Sequence, residues 1–257
     1  MRKKLTLSMR SFLGSRALAG PTRLGVDLQQ RRRYGAISSG AEVSPWRVLW
    51  IDPQEVRHTP TGKNRYYPKL DRVVSHVLGG DWDLKRRDFW ASEIAHAIYR
   101  RIVDGADWED TALVGRLTRD LSVPGAPAQW HGCRTPTDVL ARCARIDRLV
   151  EKIRSDGYRA PSRIRPGQSG LTRDYPPDAV SIGIGREGDL MHLNGIHRLS
   201  IAKSLGLTGI PVRVGIRHSS WQSRRIEHLR APGPLADHPD IAFMLDEFRA
   251  SRISADE

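Results

Sequence analysis

Apolar and polar side chains alternate most clearly over residues 179–218. Val180, Ile182 and Ile184 are separated by small or polar residues, the period-2 pattern of a half-buried strand. Gly185, Arg186, Glu187 and Gly188 supply turn chemistry, and 190–193 returns as a second short strand. Asn194 suits an N-cap and Gly206 a C-terminal stop. A helix is therefore predicted over 195–205, with Ile196, Leu199, Ala202 and Leu205 facing inward. Pro211 opens a third strand in which Val212, Val214 and Ile216 alternate. The predicted unit is a hairpin, a turn, a short helix and a strand.

Upstream the pattern is more mixed. Residues 46–52 are strand-like and end at Pro53, and 57–67 is polar and loop-like. Between 88 and 103, Trp90, Ile94, Ile98 and Ile102 recur every four residues, which predicts an amphipathic helix ending near Gly105. Asp107 then caps a second helix with Ala112, Leu113 and Leu117 on one face, and 124–132 is a loop. Thr135, Pro136 and Asp138 form a strong helix start. Val139, Leu140, Cys143, Ile146, Leu149, Val150 and Ile153 continue the helical period to Gly157. Cys143 lies on that stripe and is expected to be a core thiol. Residues 68–137 are predicted to be a mostly helical insertion.

The turn at Asn194, Gly195, Ile196, His197 and Arg198 carries the candidate chemistry. A glycine between strand and helix lets backbone amides approach an anion, and the helix start adds partial positive charge. His197 and Arg198 fall in the first helical turn, where both can donate to the same anion. From Leu190 to Ile226 there is no acidic residue but six basic ones: Arg198, Lys203, Arg213, Arg217, Arg224 and Arg225. A bound phosphate is expected to meet little repulsion there.

The order strand, Asn194-Gly195-Ile196-His197-Arg198, helix, Gly209, Ile210-Pro211-Val212-Arg213-Val214 resembles the ParB/sulfiredoxin superfamily. The resemblance implies an α/β fold of that type: a small mixed sheet with helices, carrying the insertion and a basic N-terminal arm. It also implies that the turn holds nucleotide phosphates, with ATP, ADP or CTP as ligand and Mg2+ as companion. In a related kinase an acidic residue near the first strand serves the chemistry, so Asp52 and Glu55 become candidate catalytic carboxylates. The competing reading is that Asp52 only caps the turn before Pro53. Sulfiredoxin chemistry needs a cysteine where this chain has Ile196. The 39 residues after His218 leave no room for the helix-turn-helix domain through which ParB reads DNA.

Other signals are weaker. Gly183, Gly185 and Gly188 match a dinucleotide fingerprint in spacing, but a strand follows them, not a helix. His192 and His197 are joined by no nearby cysteine or acid, so no metal site is expected.

Composition adds one feature. The chain has 257 residues and a net charge of +13, of which residues 1–33 hold nine basic side chains against Asp27 alone. This arm reads in three ways: a solvated tail, a basic amphipathic stretch for DNA or an anionic membrane surface, or a transit peptide. Two cysteines fit a reducing compartment, and no apolar run nears the roughly 20 residues of a membrane span. The expected location is cytoplasmic, with peripheral membrane association through the arm as the variant.

The expected organisation is an arm and linker over 1–44, the main domain over 45–220 and an extension over 221–257. The expected function is binding of a nucleotide or other phosphorylated ligand at the turn, with phosphoryl transfer as its enzymatic form. The rival is a non-catalytic nucleic-acid-binding or membrane-associated accessory protein, using the arm with Arg217, Arg224 and Arg225.

Overall fold

Seven strands form one mixed sheet in the computed structural model, which describes residues 48–61, 76–158, 180–231 and 233–242. They are β1 (Val48–Ile51), β2 (His58–Pro60), β3 (His76–Leu78), β4 (Arg86–Asp88), β5 (Val180–Ile184), β6 (Leu190–Asn194) and β7 (Ile210–His218). Their order is β1-β7-β5-β6-β2-β4, and β3 lies parallel to the second half of β7. Five helices accompany them among the described residues: α1 (Glu93–Ile102), α2 (Ala112–Leu121), α3 (Pro136–Asp156), α4 (Ile196–Ser204) and α5 (Ser219–Arg230). The class is α/β. The arm at 1–33 and the linker to 44 lie outside the described residues.

The central unit follows its alternation. β5 and β6 form an antiparallel hairpin, and α4 returns the chain so that β7 runs parallel to β5. Gly188 closes the hairpin turn with φ 96°, where an added Cβ would come within 2.7 Å of the Trp221 ring. One face of the sheet buries Ile51, Val180, Ile182, Ile184, Val212 and Val214 against Phe89, Leu199 and Trp221. Burial of each large aliphatic side chain contributes about 1.5–3 kcal/mol. The other face is smaller and packs Met191, Leu193 and Ile216 on Leu78 and Trp82.

Ile216 corrects the simple alternation. Ile182 pairs with Val214 but Gly183 pairs with Ile216, so β7 carries an extra residue at this point. A bulge reverses which face the following residues occupy. Ile216 therefore lies on the second face, and Arg217 takes the first.

The helices form a second core of their own. Ile98 on α1, Leu113, Val114 and Leu117 on α2, and Val139, Cys143, Ile146, Val150 and Ile153 on α3 meet Ile201 of α4. Helix α4 is buried from Leu199 to Lys203 without interruption, because it lies between the sheet and α1. Its inward face is therefore not the predicted single stripe, and Ile196 and Leu205 remain partly exposed. Thr135 and Asp138 cap α3 reciprocally, as their spacing predicts.

Several boundaries differ from expectation. The helix expected from 88 begins later: the Asp88 carboxylate accepts the Trp90 amide at 2.7 Å and starts a 3-10 turn, and Ser92 then leads into α1. Thr111, not Asp107, caps α2. The polar stretch at 57–67 contributes β2, and the expected insertion at 68–137 contains β3 and β4 before it becomes helical. Of the expected extension, the described residues include Trp221 and Ile241, which are fully buried in the main core.

Candidate functional site

The turn after β6 is shaped by Gly195. Its φ of 85° and ψ of 33° are left-handed, so Gly195 and not Asn194 occupies the N-cap position. The Asn194 side chain instead accepts the Gly195 amide at 2.7 Å. An α-helix leaves its first amides without intrahelical acceptors, as at Ile196 and His197 at the start of α4. No acidic residue lies in this first turn.

Two side chains of the turn are held from outside it. Burial raises the Tyr158 hydroxyl to about 12, and the neighbouring Arg198 guanidinium offsets part of that shift. His197 lies 6.0 Å from the Trp130 ring and 5.4 Å from His131, centroid to centroid. Burial, with Arg142 and His131 nearby, lowers His197 to about 4, so it is neutral at pH 7. Its Nε2 has no hydrogen-bond partner among the described residues.

Trp130 and His131 come from the tip of a small hairpin closed by paired backbone bonds between Gln129 and Cys133, each 2.8 Å. Both have left-handed backbones, φ 35° and 64°, which for non-glycine residues costs on the order of 1–3 kcal/mol each. The Cys133 thiol donates to the Trp130 carbonyl at 3.3 Å and holds the tip closed. Arg142, from α3, stands over the Trp130 ring at 5.3 Å. Its pKa is lowered by burial, and Trp130 Nε1 and Arg142 Nε are also without partners among the described residues. Sequence reading placed Trp130 and His131 in a plain loop. The available signal was an indole and an imidazole side by side in a Pro/Gly/Ala-rich segment.

The candidate carboxylates lie in the turn after β1. Asp52 accepts the Gln54 amide at 2.8 Å and caps the 3-10 turn Pro53–Glu55, and Glu55 is exposed. That turn joins β1 to β2, and His58 of β2 pairs with Met191 of β6. Lys203 anchors it at the far end of α4. Its Nζ donates to the carbonyls of Pro53 (2.9 Å), Val56 (3.1 Å) and Gln54 (3.4 Å).

The downstream arginines do not form a basic surface. Arg217 and Arg225 are buried on Asp240, and Arg224 pairs with Glu187 at 2.7 Å. Three of the six cations in the stretch without acids are thus paired with carboxylates distant in sequence. His192 is separated from His197: it is buried 5.5 Å from Phe89, with Nδ1 3.3 Å from the Thr59 hydroxyl. No group of three or more His, Cys, Asp or Glu among the described residues is arranged to hold a metal. No helix among them is long and apolar enough to cross a membrane. No family model, curated protein or solved structure matches the chain.

Proposed function

We propose that the start of α4 binds the phosphate of a nucleotide or another phosphorylated ligand, on a sheet-and-turn unit of ParB/sulfiredoxin type. The carrying observation is the left-handed Gly195, which opens the first amides of α4 beside Arg198 and His197 with no acid in the turn. Fixed dipoles and a guanidinium there favour a phosphate. Asp52 already caps its own 3-10 turn, which leaves Glu55 as the carboxylate for the phosphotransfer form. Binding is the stronger reading. Mg2+ then enters with the nucleotide and not through a preformed protein site.

Calorimetry with ATP, ADP and CTP, with and without Mg2+, tests this. Arg198→Ala should weaken binding by roughly 1.5–3 kcal/mol, the worth of a hydrogen bond to a charged group. Arg198→Lys should recover only part, since a point charge does not reproduce the guanidinium fork. A wild-type chain that binds none of the three, nor inorganic phosphate, would refute the proposal.

A further inference from the structure

Three nitrogen atoms from three different elements stand in one neighbourhood without partners among the described residues: Trp130 Nε1, Arg142 Nε and His197 Nε2. Folded proteins leave few such groups, because an unsatisfied buried donor or acceptor is costly. Here they are linked by ring and cation contacts of 5.3–6.0 Å that also include His131. The hairpin tip presenting two of the four residues is kept in an unfavourable backbone conformation. Among the described residues no carboxylate is paired with Arg142, which has Arg145 and the side chains of Cys133 and Cys143 nearby. Such a cluster is poorly suited to holding the fold together and well suited to receiving an anion.

We propose that Trp130, His131, Arg142 and His197 form the second wall of the phosphate site, and that the ligand ends in a dianionic phosphomonoester. This rests on the function proposed above and narrows it. His197 belongs to both walls, since its backbone amide opens α4 and its ring faces the tip. A terminal phosphate offers three free oxygens and close to two charges at pH 7. One oxygen can take the α4 amides while the others meet the nitrogens opposite. A phosphodiester has two free oxygens, one charge and a second ester arm that one of the walls would obstruct. The three nitrogens are sheltered from solvent in the free chain, so the Trp130–His131 tip shifts to admit the phosphate.

The test uses the full chain and three probes: adenosine 5′-monophosphate, its 3′,5′-cyclic diester, and inorganic phosphate as the arm without a base. The monoester or inorganic phosphate should bind at least tenfold more tightly than the diester. Arg142→Gln should weaken that binding tenfold or more, Arg142→Lys should restore part of it, and the unliganded melting temperature should stay within about two degrees. Binding should change the tryptophan fluorescence of the wild type, and Trp130→Phe should remove most of the change. Equal affinity for the diester would overturn the second wall. So would affinity that survives Arg142→Gln but is lost in Arg198→Ala, and that result would leave the α4 site standing. Failure of the wild type to bind any phosphate compound would overturn both.

Discussion

The guanidinium groups around Asp240 and around Trp130 are completed in opposite ways. Around Asp240, Arg217 donates from Nε at 3.0 Å, Arg225 Nε lies at 3.1 Å and the Trp221 indole donates at 2.9 Å. The carboxylate is fully buried and every side of it is occupied. Around Trp130, Arg142 meets an indole and two imidazoles, and among the described residues no carboxylate is paired with it. The first cluster locks α5 and the C-terminal segment onto β7. The second has donors to spare. A buried cation closed by its own chain belongs to the fold, whereas one left open is suited to something that arrives from outside.

Asp240→Asn should break this contrast most severely. It leaves Arg217 and Arg225 buried without their counter-charge, at a cost of about 3–5 kcal/mol in urea unfolding. The pH dependence follows from the same pair. Burial pushes the Asp240 carboxyl up, but Arg217 and Arg225 outweigh it and hold the group well below the usual carboxylate range. A depressed carboxylate contributes stability above its unfolded value of roughly 4, and that contribution is lost as pH falls below it. The wild type should therefore lose stability steeply below about pH 4, and Asp240→Asn should show a shallower slope.

The second effect comes from histidines kept neutral. Burial lowers both His192 and His197 to about 4. In the unfolded chain they take up protons near 6.5, so stability should decline as pH falls from about 6.5 to 4 and be flat above. Each group contributes up to roughly 3 kcal/mol of that decline. Urea unfolding between pH 4 and 7 should show a reduced slope in His197→Asn, and an unchanged slope would mean that the ring is not buried neutral.

How much of this was legible in the sequence depended on range. The hairpin, α4 and β7 could be read because period-2 alternation and glycine punctuation are local signals, as was the reciprocal cap of Thr135 and Asp138. The bulge that moves Ile216 to the other face was not legible, since alternation continues through it and only pairing with β5 reveals the extra residue. The turn at Asn194–Arg198 was found from its glycine. Its opposite wall was not, because Trp130 and Arg142 approach it through the packing of α3. Asp240 likewise neutralises two arginines that looked like a basic patch in the one-dimensional charge pattern.

Lys203 provides an intermediate case. It is a buried cation satisfied by three backbone carbonyls and by the faces of Phe89 and Trp90 at 5.5 and 5.8 Å, with no carboxylate in contact. Lys203→Met keeps the stem and deletes the donors, stranding the carbonyls of Pro53 and Val56. It should cost about 1–3 kcal/mol, with hydrogen exchange fastest in the Asp52–Val56 turn. Little cost would mean that those carbonyls find water readily.

The smallest stability effect is the most informative. Arg142→Gln removes a guanidinium that burial disfavours in its charged form and that has no paired carboxylate among the described residues to lose. The contact over Trp130 is worth on the order of 0.5–1 kcal/mol, and relief of desolvation offsets it. Unfolding free energy should therefore change by less than about 0.5 kcal/mol, where the corresponding lesion at Asp240 costs several. The comparison is sharpened further by adding inorganic phosphate. Wild type should gain melting temperature with phosphate concentration, as any chain does whose folded form alone binds the ligand, and Arg142→Gln should gain less. If Arg142→Gln instead unfolds the free chain as readily as Asp240→Asn does, both clusters serve the fold, and the open donors around Trp130 are part of its architecture and not a place for a ligand.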